Sequence, residues 1–141
     1  MKWVKQSIHY WCPDTKEHKF LGQNVTVAIL DTGISPHPDF KDRILSFRDF
    51  SSTTGSSEKV LFSFSHFSPL IDNSGHGTHV AGILAGSGLL SSGTYAGIAP
   101  FCNLIIGKVL DQNGNGSIKN VINGIQWIRD IYTQFHIPVS Y

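Results

Sequence analysis

From Ser117 onward, Ile118, Val121, Ile122, Ile125, Ile128, Ile131, Tyr132 and Phe135 recur at steps of three and four. That spacing lines one face of an α-helix and predicts a helix with this face turned to a core. Upstream the pattern changes. Residues 24–30, NVTVAIL, form a β-branched and aliphatic run ending at Asp31 and Gly33, and residues 104–110 form a second. Short apolar runs of this kind predict strands buried on both faces, as in a parallel sheet. Between them Val80, Ala81, Ile83 and Leu84 predict a short helix over residues 75–85. Two stretches rich in Ser and Gly, residues 50–59 and 86–97, read as surface loops. Strand, helix, strand, helix is the order of an α/β fold with a parallel sheet. Ligands in such sheets sit beyond the carboxyl ends of the strands, and Asp31 lies at one of those ends.

Composition narrows the function classes. With 141 residues, 40% hydrophobic and 15% charged, the chain fits one globular domain. A formal charge of +1 and no Lys/Arg run give no basis for binding nucleic acid or an anionic membrane. The longest apolar stretch, IAPFCNLIIGKVL, is interrupted by Pro100, Asn103 and Lys108 and falls short of the roughly 20 residues that span a bilayer. The start, MKWVKQSIHYWCP, lacks the apolar core and cleavage site of a secretory leader, so residues 1–23 read as an N-terminal extension. Cys12 and Cys102 match no metal or redox spacing and are expected to be free thiols.

The residues that could carry chemistry lie in two stretches. Asp31, Thr32 and Gly33 follow the first strand, and further on comes NSGHGTHVAG with His76 and His79. A buried carboxylate can fix an imidazole tautomer and stabilise the imidazolium, which a general base for a serine hydroxyl requires. Taken singly, Asp31 also reads as a turn cap and each histidine as a polar group at a helix start. A metal site on His76, His79 and Asp72 is a rival reading, although the HExxH spacing is missing. Residues 111–116, DQNGNG, open like a calcium-binding EF-hand loop, but Ile122 stands where its last carboxylate belongs.

Several ordered blocks resemble the subtilisin-like serine proteases, the subtilases: AILDTG, HPD at residues 37–39, NSGHGTHVAG, GIAP, KVLDQNGNGS and NGIQWI. The resemblance extends from about residue 24 to residue 131. It implies a three-layer, parallel-sheet α/β subtilisin-like fold and a serine-type endopeptidase working through an Asp–His–Ser triad on polypeptide substrates. Asp31 matches the catalytic aspartate and His76 the general base, whereas His79 matches a packing and hydrogen-bonding residue. Gly75 and Gly77 are expected to let substrate backbone come close to His76, and Asp72 and Asn73 to rim the cleft. Gly114, Asn115 and Gly116 match the edge segment that pairs with extended substrate. Leu110 is expected to line the pocket next to the scissile position, and Ile118 and Val121 a more remote one.

The same resemblance gives Asp39 the place of a calcium ligand, while the companion loop at 86–97 contains no acidic residue. No cofactor is required. The family's serine lies in a GTSMA-like segment downstream, with an oxyanion-hole asparagine between, and neither occurs in these residues. Residues 24–141 are therefore expected to be a partial catalytic domain, incomplete at the C-terminus and inactive alone. Its 104–110 strand is expected to keep an open edge. The alternative is a catalytically inactive pseudoenzyme or peptide-binding module. The calcium-poor loop and the KVLDQNGNGS stretch resemble intracellular bacterial subtilases, giving a cytoplasmic expectation with secretion as the alternative.

Overall fold

A computed structural model describes residues 2–8, 10, 20–52, 58–60 and 72–135. Cys12 and the end of the chain from residue 136 lie outside the described residues. The elements run α1 (Lys2–Ser7), β1 (Thr26–Asp31), β2 (Ile44–Asp49), β3 (Glu58–Val60), α2 (His76–Ala85), β4 (Asn103–Lys108) and α3 (Ile118–Phe135). The sheet order is β1-β4-β2-β3. β4 runs parallel to both β1 and β2, and β3 closes the described sheet antiparallel to β2.

Alternate residues of β4 feed two cores, which explains the layering. Leu104 and Ile106 point to one side, where Ala81 and Ala85 of α2 pack with Ile29, Ile34, Phe40, Ile44 and Phe47. Ile105 points to the other, against Trp127 and Ile131 of α3. A helix on each face makes three layers, as a parallel sheet demands. The edge-to-face contact of Phe50 with Trp127, centroids 5.7 Å apart, extends the second core.

The structure changes the strand assignments in detail. β4 is the central strand and is buried at every position after Asn103. β1, expected to be buried on both faces, has β4 as its one neighbour among the described strands and leaves Ala28 exposed. The open edge expected on the 104–110 strand therefore belongs to β1. β2 escaped the sequence reading because Arg48 and Asp49 cut its apolar run and an irregularity between Ile44 and Ser46 breaks the alternation. Glu58–Val60 pairs as β3 across the end of a stretch, residues 50–59, expected to be loop.

Long polar side chains join the layers where the helices end. The Arg43 guanidinium donates to the carbonyls of Asp39, Ala85 (2.6 Å) and Cys102 (2.8 Å), tying the approach to β2, the end of α2 and the start of β4. In the N-terminal extension, Lys5 Nζ donates to the Gly97 carbonyl at 2.8 Å and the Tyr10 hydroxyl to that of Ile98 at 2.7 Å. These contacts seat the described part of the extension against the end of the 86–97 loop.

Candidate active site

β1 ends on Asp31, whose side chain is only 12% exposed, while the His76 side chain at the start of α2 is 63% exposed. Their contact, His76 Nδ1 to Asp31 Oδ1, measures 2.8 Å. A carboxylate can only accept, so Nδ1 carries the proton and Nε2 is left as the basic nitrogen. The Thr32 amide donates to the same Asp31 oxygen at 2.7 Å, which fixes the carboxylate. The hydrogen bond His76 donates to Asp31 and then the charge of Asp31 raise the His76 pKa above 6.5, with a smaller contribution from the charge of Asp72.

The backbone on which Asp31 sits is clamped by the residues after β4. The amides of Val109 and Leu110 both donate to the Asp31 carbonyl, at 2.9 and 3.2 Å. Lys108, 5% exposed, sends its ammonium to the carbonyls of Thr32 (2.6 Å) and Leu110 (2.9 Å). A buried ammonium needs such partners, and here they join the turn after β1 to the chain that leads toward residues 114–116. The sequence reading passed over Lys108; the available signal was a lysine closing an otherwise apolar strand.

The start of α2 is built without an ordinary cap. Gly75, the capping residue, has φ +82°, and no side chain of its own meets the helix amides. Asp72 supplies the acceptors instead: its Oδ1 takes the Gly75 amide and Thr32 hydroxyl, both at 2.8 Å, and its Oδ2 takes the Thr78 amide at 2.8 Å and the Thr78 hydroxyl. Burial pushes the Asp72 carboxyl up, but the Thr78, Thr32 and Gly75 hydrogen bonds outweigh it and bring the pKa down to about 2. Asn73, by contrast, is exposed at the surface beside it. Asp72, expected at the rim, is an inward-facing acceptor.

The two glycines have different reasons. A Cβ on Gly77 would meet the Gly33 carbonyl oxygen at 2.3 Å, so this glycine lets α2 approach the turn after β1. Gly75 has open space around its Cβ position and is required by its left-handed backbone. His79 departs from its expected packing role: it is exposed, its amide donates to the Gly75 carbonyl at 3.0 Å, and its ring makes no hydrogen bond among the described residues. With His37 and Tyr95 it lines a cavity of about 500 Å³ on the side of α2 toward Asp39.

Downstream, Asp111 folds residues 111–115 into a closed turn. Its Oδ1 accepts the amides of Asn113 and Asn115 (2.8 and 2.9 Å), and its amide donates to the Asn115 carbonyl at 2.8 Å. Asn115 thus has both backbone groups engaged. Among the described residues, the Gly114 carbonyl and the Gly116 amide make no hydrogen bond. Gly114, Asn115, Gly116 and Ile118 are exposed, Ile118 to 81%, while Leu110 and Val121 are half-buried.

Among the described residues no three His, Cys, Asp or Glu side chains gather as ligands. Asp39 directs its carboxylate at backbone amides, Gly88 at 2.9 Å and Leu90 at 3.4 Å.

A model of the family described as "Subtilase family" matches residues 22–138. The chain is 46% identical over 106 residues to "Serine protease AprX" of Bacillus subtilis (strain 168), covering 75% of this chain and 21% of that protein. It is 41% identical over 108 residues to "Major intracellular serine protease" of the same organism, covering 75% and 30%. Among solved structures it resembles "Sphericase", with a TM-score of 0.67, 30% identity, and coverage of 80% of this chain and 34% of that one. The chain thus spans about a fifth to a third of the length of these proteins. Because the family match runs through well over half of the 141 residues and takes in both β1 with Asp31 and α2 with His76, the chain belongs to the subtilase family.

Proposed function

We propose that this chain contributes the acid–base half of a serine endopeptidase. The observation that carries the reading is the 2.8 Å contact between His76 Nδ1 and the buried Asp31 carboxylate, made between the end of a strand and the start of a helix. His76 Nε2 takes the proton of a serine hydroxyl as it attacks a peptide carbonyl, then returns it to the leaving amine. Asp31 holds the tautomer and stabilises the imidazolium without itself taking the proton. The nucleophile and oxyanion donors are not assigned to any residue here: among the described residues no serine hydroxyl hydrogen-bonds His76.

The substrate is a polypeptide lying extended along residues 114–116, with the Gly114 carbonyl and Gly116 amide as pairing groups. Leu110 borders the position next to the scissile bond, Ile118 and Val121 a more distant one, and Asn73 the rim. No cation is assigned to Asp39. Similarity to "Major intracellular serine protease" supports a cytoplasmic setting, with secretion, as for the similar "Minor extracellular protease Epr", the alternative; no described helix is long and apolar enough to cross a membrane.

On this reading the 141 residues are part of a longer protein, in keeping with the 21% and 30% of its relatives' lengths that the chain covers, and the test compares that full-length protein with the 141-residue chain. The full-length protein cleaves an unstructured polypeptide and is labelled by a serine-directed phosphonate, whereas the isolated chain does neither. Peptide binding without cleavage or labelling by the full-length protein would turn the reading to a binding module. Cleavage by the isolated chain would overturn the division of labour.

A further inference from the structure

We propose that Asp72, acting through Thr32 and Thr78, is a positioning residue that holds His76 against Asp31. The inference rests on the endopeptidase reading for its kinetic consequence but not for its structural one. Asp72 takes the hydroxyl protons of both threonines. Each hydroxyl is thereby oriented with a lone pair toward a backbone amide: Thr32 Oγ1 accepts from Gly77 at 2.9 Å and Thr78 Oγ1 from Ser35 at 3.0 Å. A hydroxyl has one proton, so fixing where it goes decides what the oxygen can accept.

The consequence is a closed ring around the histidine. Thr32 holds the Asp31 carboxylate through its amide and the Gly77 amide through its hydroxyl. His76, the residue before Gly77, returns to the same Asp31 oxygen. Gly75, the residue before His76, has its amide on Asp72. Both chain neighbours of His76 are therefore pinned by acceptors that Asp72 either is or orients. A cap at position 75 could satisfy helix amides as well, but it would not connect them to the turn that carries Asp31. Asp72 does both.

Every partner of Asp72 is a donor, on Oδ1 and on Oδ2 alike. An asparagine must turn its NH2 toward one of those sets, so Asp72→Asn keeps the volume and breaks the acceptor pattern. The charged groups that act on His76 are Asp31 first and Asp72 second.

The experiment uses the full-length protein with Asp72→Asn, Thr32→Val and Thr32→Ser. Turnover on a short peptide and the NMR signal of the His76 Nδ1 proton are both read. Asp72→Asn and Thr32→Val lower kcat by about tenfold or more, the scale of losing a partner that orients a functional side chain, with KM within about twofold. Both speed exchange of the Nδ1 proton, while Thr32→Ser, which keeps the hydroxyl, restores both readouts. A purely structural role would lower Tm and leave kcat and the proton signal of the folded protein unchanged; that result in both disruptive variants sinks the proposal. Should Asp72→Asn not fold, the Val/Ser pair at position 32 decides alone. If the wild-type protein cleaves nothing, the endopeptidase reading fails and the Nδ1 signal still judges the ring. If His76→Ala removes cleavage but the Asp72 and Thr32 variants behave as wild type, the ring fails and the endopeptidase reading stands.

Discussion

At the scale of residues, the site joins two carboxylates of opposite duty to one imidazole. Asp31 accepts from His76 directly, and Asp72 organises the backbone from which His76 projects. The pH signatures of His76 and Asp72 differ in sign. The raised His76 pKa means that the imidazolium contributes stability below the unfolded-state value, and this contribution is lost as pH rises through the folded one. Asp72, lowered from 3.8 to about 2, contributes stability above its unfolded value, lost as pH falls through about 2. A general base must be neutral, so the acid limb of kcat/KM in the full-length protein is expected above pH 6.5. Asp31→Asn removes the two largest causes of the shift. It should move the His76 midpoint down, seen by NMR titration, and lower kcat by about 10⁴, the loss found when the orienting carboxylate of such a triad is replaced. An unmoved midpoint would separate Asp31 from the imidazole. Asp31 and His76 were legible because strand-end DTG and HGTHVAG are local strings. The roles of Thr32, Asp72 and Lys108 were not, because each depends on a partner distant in sequence.

At the scale of elements, α2 is placed by close approach and by tethering. Gly77→Ala drives a Cβ into the Gly33 carbonyl, a backbone atom that cannot rotate away. The expected cost is about 2 kcal/mol or more, measured by denaturant unfolding, with His76 displaced from Asp31. Stability equal to wild type would mean that α2 stands off the turn. Arg43→Ala should be costlier, since the carbonyls of Asp39, Ala85 and Cys102 lose a charged donor together. About 3 kcal/mol is expected, and Arg43→Lys should recover only part because an ammonium lacks the planar fork. The long helix and the two principal strands could be read from periodicity and apolar runs. β2 could not, since its bulge and its terminal Arg48 and Asp49 erase both signals. Nor could the neighbours of β1: edge and centre are decided by which strands pair, and the apolar run at 24–30 reads alike in either place.

At the scale of the whole molecule, the three layers bury one face of α3 and leave another open. Ile118, Ile122 and Ile125 are exposed on that helix while Trp127 and Ile131 are buried. Together with the edge of β1, they give the 141-residue chain on its own a surface suited to association. Sedimentation should show it self-associating, and replacing the three isoleucines with Ser, Gln and Lys should reduce this. A monomer across the concentration range would contradict the exposure. The layering also sets the site: Asp31 at a strand's carboxyl end and His76 at a helix start meet on one rim of the sheet, with residues 110–116 leading away from it. That this rim performs acid–base catalysis on peptide bonds is the central claim, and the His76→Ala variant of the full-length protein tests it most directly. Turnover of an internally quenched peptide at fixed pH is predicted to fall by on the order of 10⁶ with the fold and peptide affinity retained; turnover equal to wild type would contradict it.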